Sequence, residues 1–305
     1  MFQQRPPLPA PLSGRAFTLA EGRAAGLSES QLFHGELRRP TRGVRSGHPA
    51  PPGEDTVARC RELLPALPPG AVFSHVTALR LLGTDLPRGV RRAADIHVQV
   101  ARPTPRPRRA GVVAHSRASA HGPVQLRDGL PVSTAEQAWV QLAPELTHTE
   151  LIVLGDALLR RQGARTSVAE LTRAVDRLTA GTRAVRRLRL ALPLLRSGTD
   201  SCQETRLRLI LVDAGLPCPE VNQAVYDSAG RFVALPDLSY RAERIAIEYD
   251  GDIHRVDPRT WRRDVARRQA LEALGWRTIT CTADDIRSPA RALAWIRGAR
   301  SAASR

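Results

Sequence analysis

The sequence predicts a mixed α/β (α+β) protein whose C-terminal third has the element order α-β-β-β-α-β. Two patterns lead to this prediction. Segments with helical spacing of apolar residues, bounded by capping and stop residues, are interspersed with short runs that alternate between apolar and polar side chains. In addition, the alternating runs near the C-terminus carry their acidic residues on one face, which is typical of a site built on a sheet. The length of 305 residues predicts two or three domains.

The first 48 residues predict two short helices and a basic turn. Thr18 is placed to cap a helix over LAEGRAA, and Ser28 to cap a second helix over ESQLFHGEL. The segment that follows, RRPTRGVRSG, has the arginines and glycines of a basic hairpin. Helix, turn, helix and basic wing is the arrangement of a winged helix-turn-helix, in which the second helix enters the major groove of DNA.

Candidate DNA-binding residues follow from this arrangement. The second helix would offer Ser30, Gln31 and His34 to base edges. The arginines of the wing would contact phosphates, and they are Arg38, Arg39, Arg42 and Arg45. The region also resembles the N-terminal domain of AbiEi-type antitoxins of toxin–antitoxin systems. Short helix pairs with arginine-rich loops also occur in proteins without nucleic-acid partners, so that alternative stays open.

A linker rich in Pro and Gly, residues 48–56, precedes a predicted mixed α/β middle domain over residues 57–198. Helices are predicted over residues 57–67, 74–83, 133–142, 150–160 and 182–195. The last of these carries four arginines that either contact phosphates or form a solvated face. The domain also resembles the second part of the AbiEi-type arrangement.

Two strands of the middle domain, residues 95–101 and 111–117, place His97 and His115 on neighbouring strands. No acidic or cysteine partner is evident for these histidines in the sequence. They are therefore predicted to be hydrogen-bonded or exposed side chains, with metal ligation as the weaker alternative.

The C-terminal domain is predicted over residues 199–305. A hairpin turned at Arg241–Arg244 is expected to pair Tyr240 with Ile245 and Asp237 with Glu248. The elements around it are a helix over 201–214, a strand over 219–227, a helix over 258–274, a strand over 276–282 and a helix over 288–300.

Three carboxylates share one face of this hairpin, and they belong to Asp237, Glu248 and Asp250. Directly opposed residues share a face, and so do residues two apart along a strand. Clustered carboxylates repel each other unless a cation or a shared proton intervenes, and oxygen ligands suit Mg²⁺ or Mn²⁺. The pattern predicts a divalent-metal hydrolase site, and a solvated acidic face is the alternative.

An ordered set of residues carries a resemblance to a known family. Pro236-Asp237, Glu248-Tyr249-Asp250-Gly251, His254, Arg263-Asp264, Arg267 and Gly275-Trp276 resemble bacterial proteins related to the very-short-patch-repair (Vsr) endonucleases, within the PD-(D/E)XK nucleases of restriction endonuclease-like fold. The resemblance spans Ser201 to Arg297 and implies that Asp237 and Glu248 are metal ligands. It also implies that Glu204 is a further carboxylate on the metal side. Glu204 stands at the Glu position of a capping box begun by Ser201, so both roles stay open.

The family's lysine position is occupied by Asp250, and all 46 basic residues of the chain are arginine. Arginine stays protonated and cannot act as a general base. Proton transfer is therefore expected from water at the metal or from His254. Arg267, or Arg263 one turn earlier, would stabilise charge on the phosphate. Asp250 would help to order the attacking water. The alternatives are that His254 is a surface turn residue and that the nuclease domain is degenerate.

The distribution of charge predicts which part of the chain binds nucleic acid. Residues 1–198 hold 29 arginines against 15 acidic residues, whereas residues 199–305 hold 17 against 15. Neutralisation of phosphates dominates the affinity of proteins for nucleic acids. A basic front end would therefore bind the polymer and a nearly neutral C-terminal domain would cut it. An aromatic content of 4% disfavours single-stranded RNA, which is recognised by stacking.

The expected function is a Mg²⁺-dependent endonuclease that hydrolyses DNA and is targeted by an N-terminal DNA-binding region. The alternative is a non-catalytic, antitoxin-like DNA-binding repressor. No apolar run approaches the length of about 18 residues that a membrane helix needs, so a soluble, cytoplasmic protein is expected. The four cysteines are scattered and predict neither a zinc site nor a disulfide framework.

Overall fold

The computed structural model describes residues 8–53, 55–91, 95–117, 124–179, 184–251 and 258–303. The protein is α+β, as the sequence predicts. It divides into two compact units, one formed by Met1–Thr84 and Arg88–Leu142, the other by Asp85–Pro87 and Ala143–Arg305. Within the described ranges, each helix is too short or too polar to cross a bilayer.

The first unit begins with short elements, which are α1 (Ala10–Ser13), β1 (Phe17–Thr18), α2 (Leu19–Ala24), α3 (Glu29–Leu32) and β2 (Val44–Arg45). Thr18 and Ser28 cap α2 and α3 as predicted, each within a reciprocal capping box. The second helix is shorter than predicted. Leu32 and Leu37 both enter the apolar cluster around Phe17, and residues five apart do not share a helix face, so the chain turns between them.

The rest of the first unit is a five-stranded mixed sheet with helices, in the strand order β5-β4-β3-β7-β6. Its elements are α4 (Thr56–Leu63), a 3₁₀ turn (Leu64–Ala66), β3 (Val72–Phe73), α5 (His75–Leu81), α6 (Arg88–Arg91), β4 (Ile96–Ala101), β5 (Val112–Arg117), β6 (Val124–Arg127), β7 (Leu130–Ser133) and α7 (Ala135–Leu142). Ser74 precedes α5, and its side chain makes no capping bond to the helix. Its hydroxyl oxygen lies 3.0 Å from Nδ1 of His75 instead.

The second unit starts with α8 (His148–Leu158), α9 (Val168–Asp176), α10 (Val185–Ala191), a 3₁₀ turn (Leu192–Leu194) and α11 (Cys202–Asp213). The boundary predicted at residue 198 does not coincide with the division between the units, because α8 packs against α11. Asp156 of α8 accepts hydrogen bonds from Arg208 (2.8 Å) and Thr205 (3.0 Å) of α11. The Asp156 and Arg208 side chains are each 1% exposed, so this ion pair is part of the core.

The remaining elements are β8 (Glu220–Val221), β9 (Val225–Tyr226), β10 (Phe232–Ala234), β11 (Leu238–Tyr240), β12 (Ile245–Tyr249), α12 (Pro258–Ala273), β13 (Arg277–Cys281), α13 (Ala283–Arg287) and α14 (Ala290–Ala303). Strands β13-β12-β11-β8 form a sheet in that order, with β12 parallel to β13. The strand predicted over 219–227 is interrupted at Asn222, whose φ is +46°. Its halves therefore join different sheets, β8 pairing with β11 and β9 with β10.

The two faces of the four-stranded sheet pack against different helices. Ile245 and Ile247 of β12 share a cluster with Leu207 of α11 and Ile296 of α14. Ala246, on the opposite face, packs with Leu271 of α12. Because side chains alternate along a strand, Glu248 points to the same side as Ala246, toward α12.

Replacing Asp156 with Ala should lower the free energy of unfolding by about 3–5 kcal/mol, because the Arg208 guanidinium would be left charged and unpaired in the core. Denaturant unfolding followed by circular dichroism would measure this loss. Arg287→Ala is the matched control, since it removes an exposed pair with Asp284. A loss for Asp156→Ala no larger than that of the control would show that the buried pair is dispensable.

Candidate active site

The hairpin of β11 and β12 has the register that the sequence predicts. Leu238 pairs with Ile247, Ser239 with Ala246 and Tyr240 with Ile245. The turn at residues 241–244 closes with the Arg244 N–H donating to the Arg241 carbonyl at 3.1 Å. Asp237 therefore precedes β11 at the end of the hairpin where Glu248 lies on β12.

Asp237 is tied to the neighbouring strand by its side chain. The Tyr249 N–H donates to Oδ2 of Asp237 at 2.7 Å. If β11 were longer, this N–H would bond to a backbone carbonyl of β11 instead. Burial raises the pKa of Asp237 to about 8, and the carboxylates of Glu204 and Glu248 add to this rise. The Tyr249 N–H and the Arg267 charge oppose it without cancelling it. Burial and the neighbouring carboxylates therefore favour the protonated form of Asp237 over the charged one.

Glu204 is buried in the first turn of α11, at 5% exposure. The Ser201 hydroxyl accepts the Glu204 N–H, but the carboxylate does not return to the Ser201 backbone, so the capping box is incomplete. Its Oε2 instead accepts from Asp200 N (2.9 Å), Asn222 Nδ2 (2.9 Å) and Thr199 Oγ1 (3.3 Å). Glu204 thus acts on Asp237 as a fixed negative charge.

Asn222 connects Glu204 to the hairpin, and the sequence analysis did not identify it. Its side chain donates to Glu204 and to the Gly198 carbonyl (3.0 Å), and its backbone N–H donates to the Asp237 carbonyl (3.0 Å). The sequence did carry one sign of a break in the strand, which is an Asn within an otherwise strand-like run. Asn adopts left-handed backbone more readily than most residues. The amide is 8% exposed and holds the segment before β11 against α11.

Glu248 is paired with Arg267 of α12 at 2.8 Å, and their side chains are 14% and 39% exposed. Arg267 lies one turn before Leu271 on the helix face that covers the sheet. It meets Glu248 because Leu271 packs on Ala246, two residues earlier in β12. The predicted proximity of Arg267 to the acidic hairpin is therefore realised, with Glu248 as its partner.

Asp250 directly follows β12, and its N–H donates to the Cys281 carbonyl of β13 at 2.8 Å. The predicted convergence of three carboxylates is not realised, since no three of them within the described ranges bring ligand oxygens within 4.8 Å of one another. Asp237 and Glu248 remain as the pair at the end of the hairpin. His254 and the side chain of Arg263 lie outside the described residues.

Some of the candidate DNA-binding residues make contacts within the first unit, and others are exposed. Ser30 and Gln31 belong to the start of α3, where Gln31 Oε1 accepts the Ser28 N–H at 2.8 Å. Arg38 forms an ion pair with Glu62 and donates to the His48 carbonyl at 3.1 Å. Arg39 and Arg42 are exposed, and Arg39 lies 5.7 Å from the centre of the Phe33 ring.

Arg45 does not fit the phosphate contact expected of it. The residue is 4% exposed, and its guanidinium donates to the carbonyls of Leu32 (2.7 Å) and Val44 (3.0 Å). The C-terminal end of α3 has carbonyls without helical partners, and Arg45 supplies one donor there. It stabilises the fold of the N-terminal segment.

Comparison with known proteins gives relatives without a stated activity. Over 187 residues the chain is 29% identical to uncharacterized protein MT2308 and to uncharacterized protein Rv2248, both of Mycobacterium tuberculosis, with 61% of this chain and 67% of each relative covered. No protein-family model matches the chain. No solved structure matches it either. The relationship to Vsr endonucleases and to AbiEi-type antitoxins therefore stays a prediction from the sequence.

The raised pKa of Asp237 predicts how stability depends on pH. Between about pH 4 and pH 8 the folded protein keeps a proton on Asp237 that the unfolded chain releases. The free energy of unfolding of the metal-free protein should therefore fall as pH rises, by at most about 1.4 kcal/mol per pH unit from this group. Denaturant unfolding in EDTA at several pH values would measure the slope.

Asp237→Asn removes the ionisation while keeping the shape of the side chain, so it should flatten this pH dependence. Asp284→Asn, at an exposed position of α13, should keep the slope of the wild type. Equal slopes for Asp237→Asn and the wild type would contradict the assignment.

Proposed function

We propose that this chain is a divalent-metal-dependent endonuclease that hydrolyses phosphodiester bonds of DNA. The observation that carries the proposal is the placement of Asp237 and Glu248 at one end of the β11–β12 hairpin, with the pKa of Asp237 raised to about 8. Burial and two neighbouring carboxylates leave Asp237 protonated in the absence of a cation. A bound cation would remove that penalty, which is the property expected of a metal site.

The donor atoms at this end of the hairpin fit Mg²⁺ or Mn²⁺. Asp237 and Glu248 offer carboxylate oxygens, the ligands that these hard cations prefer. Glu204 would contribute negative charge from behind Asp237, since its Oε2 already accepts three hydrogen bonds. When bound, the ion would supply Lewis-acid stabilisation of the phosphate and activation of water.

The protein's own groups have separate roles in the proposed reaction. Arg267 holds Glu248 in place before substrate binds and then directs its positive charge to a phosphate oxygen. Asp250, two residues after Glu248 along the chain, orders the attacking water. His254 is the proposed proton carrier, because arginine is never deprotonated at working pH and the chain has no lysine.

DNA is proposed as the substrate because the excess of positive charge lies in residues 1–198. Arg39 and Arg42 are the exposed arginines of the N-terminal basic turn and the proposed phosphate contacts there. The proposal includes a winged helix-turn-helix for this region, with Ser30 near the bases, and a cytoplasmic location, where the DNA is.

The second candidate is a non-catalytic, antitoxin-like DNA-binding regulator. The ion pair between Glu248 and Arg267 favours it, because an arginine neutralises one of the two proposed metal ligands without any cation. The absence of lysine at the position of Asp250 favours it as well. A regulator would bind DNA and leave it intact.

Conversion of supercoiled plasmid to nicked or linear forms tests the nuclease. Wild-type protein with Mg²⁺ or Mn²⁺ should cleave, and EDTA should abolish cleavage. Asp237→Ala should slow cleavage at least about 100-fold, because loss of a metal ligand removes several kcal/mol of transition-state stabilisation. Asp284→Ala, an exposed acid outside the site, should cleave like the wild type.

Cleavage by Asp237→Ala at the wild-type rate would rule out the assigned site. If the wild type bound DNA in a salt-sensitive way and never cut it under these conditions, the regulator would be the better assignment.

Substitution of two arginines in the N-terminal segment tests DNA binding and folding stability separately. Arg42→Ala should reduce the slope of log K against log salt by about one and leave the melting temperature unchanged, because it removes one phosphate contact. Arg45→Ala should lower the melting temperature, since this guanidinium is buried on two carbonyls. Fluorescence anisotropy with duplex DNA and thermal unfolding would measure both effects. An unchanged salt slope for Arg42→Ala would place the DNA contact elsewhere.

A further inference from the structure

Three imidazoles meet in the first unit, far along the sequence from the acidic hairpin. His75 begins α5, His97 lies on β4 and His115 on the neighbouring parallel strand β5. One nitrogen from each ring lies within 4.8 Å of the others. His97 and His115 were the histidines singled out in the sequence, and the structure adds His75 as a third.

Hydrogen bonds fix the backbone turn at His75 and link it to the strands that carry the other two histidines. His75 has a φ of +51°, a left-handed conformation that costs free energy in a non-glycine residue. Its N–H donates to Gln141 Oε1 at 2.9 Å, and Gln141 Nε2 donates to Gln99 Oε1 at 2.9 Å. Gln99 lies opposite His115 in the β4–β5 register. The side-chain amide of Gln141, on α7, therefore links the turn at His75 to the strands that carry the other two rings.

The distances between the rings resemble those between ligands of one metal ion. His97 Nδ1 and His115 Nε2 are 3.1 Å apart, so without a metal the two rings share the hydrogen bond that the sequence predicts for them. Two nitrogen ligands of a tetrahedral Zn²⁺ lie about 3.3 Å apart when each Zn–N bond is about 2.0–2.1 Å. The His75 and His115 rings stack with their centroids 3.6 Å apart, so the His75 ring has to rotate out of this stack to bind the same ion.

The protonation states and the hydrogen bonds around the rings suit metal binding. Burial lowers the pKa of His75 to about 3 and that of His115 to about 4, and it also lowers the pKa of His97. All three rings are then neutral at pH 7, the form in which imidazole binds metals. The Ser74 hydroxyl is 3.0 Å from His75 Nδ1, which leaves Nε2 as the ligand atom. An oxygen partner on the other ring nitrogen is the usual support of a metal-bound histidine.

We propose that His75, His97 and His115 form a binding site for Zn²⁺ or a similar first-row transition-metal dication. Three nitrogen donors favour Zn²⁺, Co²⁺, Ni²⁺ or Cu²⁺ and disfavour Mg²⁺. Among the described residues, no carboxylate or thiol joins the three rings. We assign the fourth position of a tetrahedral ion to water or an exogenous ligand.

The charges near the rings indicate which fourth ligand the site would prefer. Arg106 lowers the pKa of His115, whereas the pKa of His97 is raised by Asp95 and lowered by Arg80. The two guanidinium groups outnumber the one carboxylate, so the charges around a dication here favour an anion. Hydroxide, phosphate or a carboxylate is therefore the expected chemical class. The proposal does not depend on the nuclease assignment, whose ligands are carboxylates of the other unit.

Metal analysis of the full-length protein tests this site. Wild-type protein loaded with Zn²⁺ and dialysed against Mg²⁺ should retain one Zn²⁺ per chain. His115→Gln should bind Zn²⁺ at least about 100-fold more weakly by titration calorimetry, since loss of even a supporting partner costs 10–100-fold. His148→Gln removes an exposed histidine at the start of α8 and should keep wild-type affinity. Asp237→Ala should also keep it, which separates this site from the acidic one.

Substitution with Co²⁺ supplies a second measurement that needs no variant. Nitrogen ligands in a tetrahedral site give Co²⁺ an intense visible absorption, whereas octahedral oxygen ligands give a weak one. Intense absorption that Zn²⁺ displaces and Mg²⁺ does not is the expected result. Absence of retained Zn²⁺ in the wild type, or equal affinity in His115→Gln, would overturn the proposal.

Discussion

The ion pair between Asp156 and Arg208 is the contact on which the second unit depends. Both side chains are excluded from water, so neither charge is tolerable without the other. The pair fixes α11 against α8, and α11 carries Glu204 in its first turn. Through Asn222, Glu204 then holds the backbone that leads into Asp237. The position of the acidic hairpin is thus determined by packing in a helical layer that contributes Glu204 and none of the other proposed site residues.

The acidic hairpin combines two ways of balancing negative charge. Glu248 is neutralised by Arg267, whereas Asp237 is neutralised by a proton, as its raised pKa indicates. Both arrangements are reversible, because an arginine can rotate away and a proton can be released. Under the proposed nuclease function, this balance would keep the site stable without a metal and let it accept a dication once the proton and the arginine are displaced.

Features fixed by local pattern were predictable from the sequence. The register of β11 and β12 follows from alternation, because a slip of one residue would place Ile247 on the face of Glu248. The less predictable features depend on three-dimensional contacts. Arg45 is buried and donates to the Leu32 carbonyl at the end of α3 and to the Val44 carbonyl, although its sequence context matches that of the exposed Arg42. His75 joins His97 and His115 only through the paths of α5, β4 and β5, so spacing in the sequence gives no sign of the cluster.

The left-handed turn at Asn222 restricts which residues this position accepts. Glycine would relieve the backbone strain and lose the amide that donates to Glu204 and Gly198. Aspartate would tolerate the backbone and place another carboxylate against the buried Glu204, where no donor remains for it. Glycine and aspartate, which also adopt left-handed backbone, therefore fail here for opposite reasons. In a protein that shares this arrangement, we expect the turn between β8 and β9 to keep its asparagine wherever the buried glutamate on α11 is kept.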